Sequence, residues 1–158
     1  MAVYKLFPTK DASLYSEFPS TNTGLDQVLE ASTYLKEGTP YVSRYLIEFS
    51  TTEIQDILNN KVGSSSFATY LRNYSALVTS LNTDSKLEVK TISGSWNMGT
   101  GLLSYDPAVE NGCSWIWRSY SGSNAWVSTG SDSYVNPVYS QSFSYGSTTD
   151  INVNVTPS

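Results

Sequence analysis

The chain contains no histidine. That removes the commonest general base and the commonest metal ligand, and with them the Ser-His-Asp and Cys-His nucleophile arrangements. A single cysteine, Cys113, has no partner for a disulfide within the chain and no second thiol for a metal cluster. Charged residues make up 15% of the sequence, where about a quarter is usual. The nine Lys and Arg are scattered and the net charge is −5, so no basic track is offered to a nucleic-acid backbone. No apolar run approaches the roughly 18 residues of a membrane span, and "MAVYKLFPTKDASLY" lacks the apolar stretch of a secretory signal. The expectation is a chain folded in a cytoplasm, with no membrane, nucleic acid, metal or cofactor involved. The acids match no calcium-loop spacing, and nothing suggests a pair of catalytic carboxylates.

What replaces the charge is Ser, Thr, Asn, Gly and Tyr, with aromatics at 13%. This is the composition of a β-rich chain with an uncharged polar surface, and 158 residues are enough for one domain with a core. "VYKLFP" (3–8) and "DASLYSEF" (11–18) alternate as strands do, the latter with Ala12 and Leu14 on one face and Ser13 and Tyr15 on the other. "PSTNTG" (19–24) is a turn-rich loop, "QVLEAST" (27–33) a short strand, "EGTP" (37–40) a turn and "SRYLIEFS" (43–50) a strongly apolar strand. The period then changes. "STTEIQDILNNKVG" has a Thr cap, acids in its first turn, and Ile54, Ile57 and Leu58 at helical spacing, which predicts one short helix over Thr52–Asn60. "SFATYLRNYSALVTSL" (66–81) permits either period, and its Tyr, Thr and Val favour a strand. "KLEVKTIS" (86–93), "GCSWIWRSY" (112–120), "YSQSFSYGSTT" (139–149) and "DINVNVTPS" (150–158) read as further strands, and "GSWNMGTG" (94–101) as a glycine-rich loop. Many short strands between turns predict an all-β, antiparallel, jelly-roll-like β-sandwich in a single domain over 1–158.

"DASLYSEFPSTNTG", "SRYLIEF", "SGSWNMGTG", "NGCSWIWRSYSGSNAW" and "TTDINVNVT" follow one another in this order. The series resembles the DNRLRE-type β-sandwich domains, which share an Asp-strand-Pro-x-x-Asn-x-Gly stretch, an Arg-x-x-Leu-x-Phe strand, a tryptophan loop and a Gly-x-x-Trp strand. The resemblance covers nearly the whole chain, and its specificity lies in the order of five individually weak motifs. The opening "MAVYKLFPTKDASLYSEFPSTNTGLD" is similar to virion structural proteins of contractile-tailed phages of marine cyanobacteria. It implies a non-enzymatic particle component, made in the host cytoplasm, whose partners are other virion proteins at the capsid, neck, baseplate or fibre. Self-association stays open, as does the alternative of a carbohydrate-binding module for a host or capsular glycan. The resembling domains carry a further strand after the "DINVNVT" type, so either the natural chain is expected to continue past Ser158 or a partner strand is expected beside 147–156.

Within "NGCSWIWRSYSGSNAW" (111–126) lie three of the four tryptophans, the cysteine and one of the three arginines. On a strand, Trp115 and Trp117 share one face, and Cys113 points to the same side as Trp115. They are expected to fill the core, as buried aromatics do. Arg44 is expected to be a half-buried structural arginine paired with an acid such as Asp11 or Glu30. Trp96, Trp126, Tyr120 and Tyr134 are the candidates for an interface or for a glycan platform, with the capping of the sandwich end as the other role open to Trp96.

Overall fold

A computed structural model describes residues 2–63, 66–76, 85–130, 134–144 and 150–157, and gives no side-chain account of 134–136. The architecture is all-β and antiparallel, with one short helix. The chain gathers into two compact units, the first from Met1–Lys61 with Ser93–Ser133, the second from Val62–Ile92 with Tyr134–Ser158. Among the described residues the strands pair in small sheets of two or three, where the sequence predicts a jelly-roll-like sandwich.

The first unit is built on three strands, β1 (Lys10–Tyr15), β2 (Ser32–Lys36) and β3 (Thr39–Glu48), in the order β1-β3-β2. Leu14 stands opposite Arg44 and Ser13 opposite Tyr45. Ala12, Ser13, Leu14 and Tyr15 are all buried, so β1 is covered on both faces rather than on one. The second cover is the following loop: Thr23 Oγ1 donates to Ser13 O at 2.6 Å, and Glu30 N donates to Ser13 Oγ at 2.9 Å. The β2–β3 hairpin turns through Glu37 and Gly38, with φ of 52° and 80°. Two successive positive φ values make the type I′ turn whose twist suits a hairpin. This places β2 later than "QVLEAST", since the stretch before Ser32 is held by loop hydrogen bonds. The segment 2–8 likewise forms no strand, and Val3 and Phe7 stand exposed.

The helix, α1 (Thr51–Asp56), is capped by Ser50 rather than by a threonine: Ser50 Oγ accepts from Glu53 N at 3.2 Å. Ser50 and Glu53 stand at the S-x-x-E spacing of a capping box. The helix widens into a π turn over Ile57–Val62 and stops at Gly63, whose φ of +60° favours a residue without Cβ. Ile54, Ile57 and Leu58, the apolar stripe of the sequence, are half-buried.

The second unit pairs β4 (Tyr70–Asn73) with β9 (Ile151–Asn154) and β5 (Ser85–Ile92) with β8 (Tyr134–Phe143). The "YLRN" part of the ambiguous stretch is thus a strand, while 77–84 fall outside the described residues. Val153 of β9 is fully buried, and Arg72 of β4 pairs with Asp150. The β5–β8 register shifts between Lys90 and Thr91, where Pro137, with no N–H to give, sits in the opposite strand.

Two substitutions separate core from surface. Leu14 is fully enclosed, so Leu14→Ala is expected to cost about 2–5 kcal/mol. Leu35, on the open face of β2 and 75% exposed, is expected to change stability by no more than about 0.5 kcal/mol on the same substitution. Denaturant midpoints of the two variants check the pair.

Candidate functional site

The loops of the first unit converge on one side chain. Asn22 is fully buried in the loop after β1. Its Nδ2 donates to Met98 O at 2.7 Å and to Cys113 O at 2.8 Å, and its Oδ1 accepts from Gly101 N at 2.7 Å. Its own backbone N–H donates to Val109 O at 2.9 Å. A single amide therefore holds the glycine-rich loop 94–101 and the tryptophan segment 111–126 to the end of β1. The approach is close enough to need glycine: a Cβ on Gly99, whose φ is +75°, would lie 2.3 Å from Asn22 Oδ1, and one on Gly112 would lie 2.5 Å from Asn22 Nδ2. Asn111 adds a second tie, accepting from Thr100 N at 3.0 Å and donating to Thr100 Oγ1 at 2.7 Å.

The tryptophan segment is mostly not a strand. Ser114 Oγ accepts from Ile116 N at 3.3 Å and Trp117 N at 3.2 Å, and Ser114 N donates to Trp117 O at 2.7 Å. This serine turn replaces the extended backbone expected over 112–120. Only β6 (Trp117–Ser119) remains, paired with β7 (Asn124–Ala125) across a 3₁₀ turn at Tyr120–Gly122.

The turn redistributes the aromatics. Trp115 and Trp117, placed on one core-facing strand face by the sequence, no longer share a strand and are half-buried. Trp96 and Trp126, candidates for an exposed platform, are instead buried at 6% and 5% exposure. Trp126 Nε1 donates to Ser114 O at 2.9 Å, and Lys10 Nζ stands 5.6 Å from the centroid of the Trp96 ring. Tyr120 is exposed and sets its ring edge-on to Trp117 at 5.7 Å. The side chain of Tyr134 lies outside the description. Cys113 is fully enclosed, and its N–H donates to Asn97 O at 2.6 Å.

Arg44 is half-buried, and among the described residues no acid pairs with it. Its Nη1 donates to Gly130 O at 2.7 Å and its guanidinium lies 5.2 Å from the Trp115 ring centroid, a cation–π contact. Glu30 is committed elsewhere: its Oε1 accepts from Ser32 Oγ at 2.6 Å and Ser43 Oγ at 3.1 Å. The carbonyl of Gly130 thus stands where a carboxylate was expected.

Beside this cluster a shallow, open recess of about 230 Å³ is lined by Ser95, Trp96, Asn97, Arg118, Ser119 and Asn124. It offers a cation, two amides and two hydroxyls over a buried indole, a set suited to holding polar groups rather than to bond-breaking. Among the described residues no group of three or more Cys, Asp or Glu could hold a metal ion, and no helix is long and apolar enough to cross a membrane. No family model matches the chain, and neither does any curated protein or solved structure at a significant level.

Asn22 and Arg118 are the two residues that sequence reasoning did not single out. A signal for Asn22 was present, since it is the Asn of the Pro-x-x-Asn-x-Gly stretch and three loop glycines had no other evident purpose. Arg118 carried none, because its placement follows from a serine turn.

Removing the Asn22 amide orphans two carbonyls and an N–H in a buried setting. Asn22→Ala is expected to cost about 3–5 kcal/mol, read as a fall in melting temperature. Burial also pushes the Cys113 thiol from 9.0 up to about 12, and burial with the nearby Glu30 charge pushes the Tyr15 phenol from 10.0 up to about 12. Both groups stay protonated in the folded chain while their unfolded counterparts ionise. The stability they contribute is complete below pH 9.0 and is lost as the pH rises to about 12. Melting temperature is therefore expected to hold to pH 9.0 and then decline, and Cys113→Ala to delay the onset to about pH 10.0.

Proposed function

We propose that this chain is a non-enzymatic structural module of a tailed-phage particle, docking onto other particle proteins. The observation that carries the docking role is the segment 2–8. Three large apolar residues within five positions, Val3, Tyr4 and Phe7, stand exposed on it, outside any strand. Apolar side chains grouped on an arm, on a surface with little charge, are what a protein partner covers. The exposed Tyr34 and Leu35 of β2 extend the same character to a sheet edge. A glycan platform finds less support, because Trp96 and Trp126 are buried and show no ring face to a sugar. The assignment to a phage particle is supported by the resemblance to DNRLRE-type domains and to cyanophage virion proteins.

Mass spectrometry of purified particles, with antibody labelling, tests this reading. The chain is expected at a fixed copy number and at a symmetric position. Phe7→Asp is expected to reduce its incorporation several-fold while leaving the melting temperature unchanged, since Phe7 is 76% exposed. Absence of the chain from the particles overturns the proposal.

A further inference from the structure

We infer that the Arg118 recess is a docking point for one carboxylate of a partner protein's acidic peptide segment; this rests on reading the chain as a docking module. The β6–β7 pairing carries a bulge: Trp117 stands opposite Ala125 and Ser119 opposite Asn124, which leaves Arg118 as the extra residue. Bulges re-aim a side chain and recur beside sites. The backbone carbonyl of Arg118 is held by Asn97 N at 2.9 Å, so the residue is fixed in the recess it lines. The adjoining turn contains Ser123 at φ 52°, a left-handed conformation uncommon for serine.

Arg118 is half-buried, yet its guanidinium makes no ion pair or hydrogen bond with any described residue. The two other arginines are both engaged, Arg44 with Gly130 O and Arg72 with Asp150. In a chain of net charge −5, a recessed cation without an anion is one that the fold itself has not neutralised. A guanidinium fork matches a carboxylate in two parallel hydrogen bonds. Ser95, Ser119, Asn97 and Asn124 supply hydroxyls and amides around it for the neighbouring peptide groups.

A protein carboxylate fits better than a sugar. The volume of about 230 Å³ lies below the usual range of small-ligand pockets, so the recess admits one functional group rather than a ligand as a whole. Trp96 is buried and Lys10 stands over its ring, which leaves no aromatic face for stacking. Tyr120, next to Ser119 and exposed, adds the residue type that interfaces favour.

The test is a titration of the isotope-labelled chain with blocked hexapeptides, followed by amide shifts. One peptide carries a single Glu, a second carries Gln in its place, and a third has no acidic side chain but a free C-terminal carboxylate. The Glu peptide is expected to give saturable shifts confined to the amides of 95–97, 118–119 and 124, with a Kd on the order of 1 mM. The Gln peptide and the R118Q variant are each expected to weaken binding about tenfold, and R118K to fall between. If R118Q unfolds, Asn124→Ala at its exposed site reports instead. Stronger shifts from the third peptide than from the Glu peptide would place a chain terminus in the recess and overturn an acidic segment as its occupant. No saturable shift with the Glu peptide, undiminished binding by R118Q, or shifts at these amides with a neutral oligosaccharide alone overturns it. Such a result with the chain still present in particles refutes the recess and spares the docking role.

Discussion

The fold of the first unit depends on a carboxamide out of reach of water. Asn22 has two donors and one acceptor oxygen, and it spends them on backbone groups from two other loops, at 2.7–2.8 Å. In water such bonds would be exchanged for others at little net gain. Enclosed, they become obligatory, because every group they serve would otherwise be buried without a partner. Two stretches that are irregular where the amide meets them are thereby given one position each. Trp96, Trp126 and Cys113, carried on those loops, are buried.

The same constraint explains the low charge of the chain. A core that consists largely of loop backbone must satisfy many N–H and C=O groups, and short polar side chains do so at close range. Ser13, Ser114 and Thr23 are buried and bonded in this way. Long charged side chains would neither fit nor stay solvated there. The ion pairs that are present, such as Lys10–Glu48 and Lys86–Glu88, are at the surface, where each contributes little.

How much was legible in the sequence followed from how local the cause was. The strand class, the β5 alternation and the helix stripe of Ile54, Ile57 and Leu58 are set by short-range periodicity and were readable. The Glu37–Gly38 turn was readable for the same reason. The cap falls on Ser50 and not on a threonine because Ser50, Thr51 and Thr52 can all cap, and only the Glu53 N–H selects among them. The tryptophan segment failed for a stronger reason. Its residues have strand propensity, but the Ser114 hydroxyl folds the chain back within three residues, and Trp126 Nε1, 12 positions on, donates to Ser114 O. The buried and half-buried tryptophans changed places as a result. Arg44 was placed correctly on its strand, yet its partner came from a glycine 86 positions away that no local pattern announces.

Since Asn22 bonds to main-chain atoms alone in the loops it holds, it constrains their side chains only where it comes closest, at the glycines. Met98 and Leu102 are free to diversify as long as each carbonyl and N–H arrives at its station, while Gly99, Gly101 and Gly112 stay fixed by the closeness of Asn22. What cannot vary is the number of residues between stations, because one insertion would bring the wrong peptide unit to the amide. The unit is thus a fixed-length frame that displays loops tolerant of substitution between their glycines and intolerant of insertion or deletion.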